Sequence, residues 1–252
     1  MLESFKRLFA GRSDDHDTDY ADVVEWAKRR GFGFKRARGE SGFVVDGLLE
    51  GKAWRIEWGA PQRDYIAGHE LRLRMELDLP SDAQMLLLSR PLLEALERKT
   101  FEDFTDSVQT QIGTKTPEEM RWLVMFPKID LSTLKTLRTR FGAVASAPEA
   151  GLAWLTGPLG NALEQAASRL LADEPPFVLM TLRGRAYLRM QLPAPKAIDI
   201  GTALALFETA VSQAILVSGH TSGKSRDWNH SSASTAWQTF QPDEIADPRK
   251  RK

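Results

Sequence analysis

The chain has 252 residues, enough for one large domain or two small ones. Its 34 basic and 34 acidic residues cancel, so no global field favours nucleic acid or an anionic membrane, while 42% apolar residues suffice to bury a core. With no cysteine, disulfides, thiolate catalysis, cysteine-based zinc sites and iron–sulfur clusters are excluded.

Residues 1–9 read as a short amphipathic helix with Phe5, Leu8 and Phe9 on one face. Such a helix is too short to stand alone in water, so those three side chains are candidate docking residues. The polar, acidic run 11–19 reads as a linker in which Asp17 or Thr18 caps the next helix. That helix carries Tyr20, Val23, Val24 and Ala27 at helical spacing and stops near Gly31.

The period then changes to two. Phe43-Val44-Val45 leads to a turn at Glu50-Gly51, after which Trp54, Ile56 and Trp58 alternate with Arg55 and Glu57. Beyond a loop containing Pro61, Leu71, Leu73, Met75, Leu77 and Leu79 alternate with Arg72, Arg74, Glu76 and Asp78. These are half-buried strands of an antiparallel meander with a charged outer face.

Met85–Leu88 is a brief apolar run, and a helix follows it to about Lys99. Thr116-Pro117-Glu118-Glu119 reads as a helix start, with Thr116 as cap and Pro117 at the first position. Phe141–Ala145 reads as a strand, and Pro148–Leu171 as helix interrupted at Gly157-Pro158. Phe177–Leu182 and Ala186–Leu192 form a hairpin around Arg183-Gly184.

A helix then spans about Ile200–Val217. Its strongest apolar residues recur at steps of three and four, and Asp199, Glu208 and Gln213 interrupt the window, which describes a core helix rather than a lipid span. From Ser218 onward the composition is that of a largely disordered tail. Trp228, Trp237 and Phe240 stand out in it as candidate docking anchors.

Catalytic and cofactor signatures are weak. Arg30-Gly31-Phe32-Gly33-Phe34 resembles the opening of the RNA-recognition-motif signature, within the basic stretch Lys28–Arg38. Lys35 then stands where an aliphatic is expected and Ala37 where an aromatic is expected. The segment also follows a first helix rather than lying on a third strand. A glycine helix stop followed by two inward-packing phenylalanines accounts for the same residues. Ser218–Ser225 resembles a phosphate-binding loop but lacks its first glycine and a following helix. The four histidines show no ligand spacing, so no metal and no cofactor is expected.

The reading is therefore an α+β protein, with mostly antiparallel sheet and helices packed on one face. Leu73-Arg74-Met75-Glu76-Leu77 echoes Leu188-Arg189-Met190-Gln191-Leu192, as two diverged α+β halves would. The organisation is a helix and linker over 1–19, halves at 20–115 and 116–217, and a tail over 218–252. A cytoplasmic, non-catalytic interaction module with a protein partner and no integral membrane segment is the leading functional expectation. The second is binding of a small anion on a sheet face lined by Arg55, Arg72, Arg74, Arg185 and Arg189. Against it stands cross-strand pairing of those arginines with Glu57, Glu76 and Asp78. Nucleic-acid binding through Lys28–Arg38 is the third.

Overall fold

The computed structural model describes residues 20–37, 41–106 and 117–221. The docking residues expected at Phe5, Leu8, Phe9, Trp228, Trp237 and Phe240 lie outside them, as do Asp17, Thr18, Arg38 and Thr116.

Helix α1 (Ala21–Arg30) stops at Gly31, as its sequence anticipates, but its N-cap is Tyr20. Four strands follow as a meander: β1 (Gly33–Arg36), β2 (Phe43–Leu49), β3 (Lys52–Gly59) and β4 (Glu70–Glu76). Then come β5 (Met85–Ser89), α2 (Arg90–Asp106), α3 (Glu118–Met125), α4 (Lys135–Arg140) and β6 (Phe141–Ala145). The chain continues through α5 (Pro148–Leu155), α6 (Pro158–Ala167), β7 (Phe177–Leu182), β8 (Arg185–Gln191) and α7 (Ala197–Thr221). Pro117 is the N-cap of α3, which therefore starts one residue later than its Thr-Pro-Glu-Glu pattern suggests. Helix α7 runs through Ser218 to Thr221, four residues into the expected tail.

All eight strands join one antiparallel sheet in the order β1-β2-β3-β4-β8-β7-β5-β6. The α+β class with antiparallel strands is thus as the sequence implies. The segments 20–115 and 116–217 share this sheet, with β5 of the first between β6 and β7 of the second. The echoing segments meet at its centre: Leu73 pairs with Leu188, so a half-turn about that pair exchanges the two copies. The edge at β6 is bridged by Lys128 to Val144, with Ile129 N–H donating to the Ala143 carbonyl at 2.9 Å.

Alternation sets the two faces. Phe43, Val45, Trp54, Ile56, Trp58, Leu71, Leu73, Met75, Leu87, Phe177, Leu179, Leu188 and Met190 point to one side, under α1, α5, α6 and α7. Trp154 of α5 donates its indole N–H to the Ala210 carbonyl of α7 at 2.9 Å. Among the described residues, α7 is the one helix long and apolar enough to cross a membrane. Half of that stretch is buried, and it packs against α5, α6 and β8. Phe32 and Phe34 join this core, edge-on to Trp54 and stacked on Phe43 respectively. Inward packing after a glycine stop is therefore what the Arg30–Phe34 segment does.

The second face is divided. Leu86, Leu88, Val144, Val178, Met180 and Leu182 meet Leu92, Leu93 and Leu96 of α2 and Met120 and Trp122 of α3. Helices therefore pack on half of this face in addition to the first. Among the described residues, the other half, on β1–β4 and the start of β8, carries no helix.

Gly47 faces Trp54 across the β2–β3 pair, and a Cβ there would overlap the buried indole at Cζ2. Gly47→Ala is therefore expected to lower stability by about 1–3 kcal/mol through overpacking. A thermal melt and the Trp54 emission maximum check this; an unchanged melt would show that the ring has room.

Candidate functional site

All five arginines singled out in the sequence lie on the second face, because β3, β4 and β8 alternate in phase. Lys35, Asp46, Arg55, Glu57, Arg72, Arg74, Glu76 and Arg185 form its helix-free half. Arg55 stands directly opposite Arg74, and Arg72 opposite Arg189. Like charges so placed repel, and carboxylates lie between them. Arg55 Nε reaches Asp46 at 2.7 Å, Arg72 Nε reaches Glu57 at 3.3 Å and Arg185 reaches Glu76 at 2.8 Å. Arg74 lies 4.0 Å from Glu57, and Lys52 lies 2.7 Å from Asp78.

Arg189 departs from the solvated position its alternation implies: it is 4% exposed. The cause is the β3–β4 loop, residues 60–69, which folds over the end of this face. Arg189 donates to Glu70 Oε1 at 2.5 Å and to Gln62 Oε1 at 3.3 Å. Glu70, at 0% exposure, also accepts from the Gln62 backbone N–H at 2.6 Å and from Arg72 at 3.1 Å. Next to it, buried Glu119 of α3 accepts from Arg63 Nε at 2.6 Å and from the Tyr65 hydroxyl. The loop is thereby fastened to strand and helix through charged groups.

The electrostatics follow from burial. Desolvation works to raise the Glu119 carboxyl, but the Arg63 guanidinium and the bonds from Arg63 and Tyr65 outweigh it and hold the group below its ordinary 4.5. Burial, reinforced by Glu119, pushes the Tyr65 phenol up, so it serves as a donor. Burial and then the nearby Arg63 charge pull Arg189 down. Three arginines and three glutamates (Arg63, Arg72, Arg189; Glu57, Glu70, Glu119) balance, which makes the network a clamp.

Of this network the sequence reading names Arg72, Arg189 and, as a pairing partner, Glu57. It misses Arg63, Tyr65 and Glu70 and takes Glu119 only as a helix-start acid. The available signal was phase: Glu70 shares a face with Arg72 and Arg74 at steps of two.

At the opposite end of the face lies a cavity of about 470 Å³ lined by Lys52, Ala53, Glu76, Leu77, Asp78, Arg183, Gly184 and Arg185. Two tight hairpins frame this rim. Glu50-Gly51 and Arg183-Gly184 both have positive φ at both central residues (50° and 79°; 50° and 72°), the geometry that matches strand twist. Lys28, Arg29 and Arg30 occupy the last turn of α1, and Arg36 lies over the Tyr20 ring at 5.5 Å on the core side. Lys35 faces the other way, so the basic stretch is split between two faces. Among the described residues no group of three or more histidines, aspartates or glutamates is placed to hold a metal ion.

No protein-family model matches the chain, and no curated protein matches it. The crystal structure of the mycobacterial trehalose monomycolate transport factor A, TtfA, is similar at 9% identity with a TM-score of 0.42, covering 77% of this chain and 92% of that one. A likeness of that size bears on neither partner nor activity.

Proposed function

We propose that the protein is a non-catalytic interaction module that receives another protein on the helix-free half of its sheet. One observation carries the reading: among the described residues no helix packs on the wide, charged half-face, while helices pack on the opposite face and on the other half of this one. Its arginines already have carboxylate partners, which favours exchange with a broad polar partner over capture of one small anion. Exposed pairs of this kind contribute only about 0–1 kcal/mol each, so a partner can replace them cheaply.

A photo-crosslinking residue placed at position 74 tests this against the same residue at exposed Arg169, beyond α6. Protein adducts are expected from position 74 and not from 169. In a variant carrying Arg55→Gln with the crosslinker moved to position 35, yield should fall about ten-fold as rim charges are lost. The melting temperature should stay nearly constant. Equal adducts at 169, or none at 74, would remove the face from consideration.

A further inference from the structure

The cavity at the hairpin end of this face has its own charge logic. Arg185 and Lys52 are partly shielded, with side chains 46% and 37% exposed. The carboxylates they hold, Glu76 and Asp78, are 79% and 95% exposed. Cations and acids both line the cavity, and the acids are the more exposed members of the two pairs. Arg183 adds a third cation from the tip of the β7–β8 hairpin. Counting the half-face with this rim gives seven cations (Lys35, Lys52, Arg55, Arg72, Arg74, Arg183 and Arg185) against four carboxylates (Asp46, Glu57, Glu76 and Asp78). With Glu50 at the tip of the other hairpin, that is a local excess of two positive charges on a chain whose total is zero.

We infer that the hairpin-end cavity is the anchor point for an acidic, carboxylate-bearing segment of the partner protein, which displaces Glu76 and Asp78 from Arg185 and Lys52. The assignment rests on the interaction-face reading and names the chemistry of its partner. A peptide carboxylate replaces a resident carboxylate like for like. The resident pairs are too exposed to resist, since water competes for both members. The neighbouring guanidiniums of Arg74 and Arg55 continue the lane across β4 and β3, so successive acidic side chains meet successive cations.

The test is fluorescence anisotropy of a labelled decaglutamate peptide on the full chain at low salt. Lys52→Ala with Arg185→Gln should weaken binding at least about ten-fold and change the melt little, because the ion pairs lost are largely exposed. Glu76→Ala with Asp78→Ala should do the opposite, tightening binding several-fold by removing the resident competitors. Binding should also weaken steeply as salt rises.

Failure of the acid-removing variant to tighten the complex would overturn the inference. So would indifference to the loss of Lys52 and Arg185, or equally tight binding of inorganic phosphate or citrate. Self-association abolished by the Lys52/Arg185 change would make a second copy the occupant and overturn it too. Crosslinks from position 74 without decaglutamate binding would leave the interaction face standing and remove only its acidic partner.

Discussion

Glu70→Leu is expected to destabilise the protein by about 3–5 kcal/mol, the range for stranding one member of a buried ion pair. Glu70 is fully enclosed and satisfies three donors at once: Arg189, Arg72 and the Gln62 backbone N–H. Without it, Arg189 loses its ion-pair partner at 5% side-chain exposure and still stands opposite Arg72 in the neighbouring strand. Arg189→Met should cost less, because Glu70 keeps Arg72 and the Gln62 backbone N–H. The pair exchanged together is the decisive measurement. If the network is a clamp, Glu70→Leu with Arg189→Met should melt no lower than Glu70→Leu alone, because the arginine that lost its ion-pair partner is then gone too. Additive losses in a thermal or urea melt would defeat this account.

Glu119→Gln should remove about 3 kcal/mol near neutral pH, since Arg63 loses its buried counter-charge. The pH dependence gives a second reading. The Glu119 carboxyl is held below its ordinary 4.5 in the folded state, so the folded chain binds fewer protons there than the unfolded one. Its stabilisation is fully present above 4.5 and disappears as pH falls through the depressed folded value. Melting temperatures from pH 7 down to pH 3 should therefore converge for the native chain and the Gln variant on the acid side. A constant gap across that interval would show that the Glu119 charge is not what holds the loop.

Much of the fold was legible because it is written in period. The alternation at Trp54–Trp58 and Leu71–Leu77 fixed strands, phase and the charged outer side, since a half-buried strand must segregate its side chains. Arg183-Gly184 and Glu50-Gly51 marked hairpins through their turn chemistry. What escaped was the fate of the second face. Arg74 and Arg189 occupy equivalent places in the echoing segments, yet one meets solvent and the other lies under a loop. That difference is decided by residues 60–69 and by α3, remote in sequence from β8. No local pattern in Leu188–Leu192 carries it. The same holds for Glu119, whose helix-start position says nothing of the Arg63 and Tyr65 waiting across the loop.

The pairing of β4 with β8 has a kinetic consequence. Leu73 and Leu188 meet only after the intervening chain, with β5, β6 and β7, has been made. Until residues 185–191 leave the ribosome, the nascent meander has an unsatisfied flank at β4, rich in Leu and Met. Closure of so long a loop is slow, and such a flank can recruit a like strand from another nascent chain. Production of this protein should accordingly depend on how quickly residues 77–191 follow the meander.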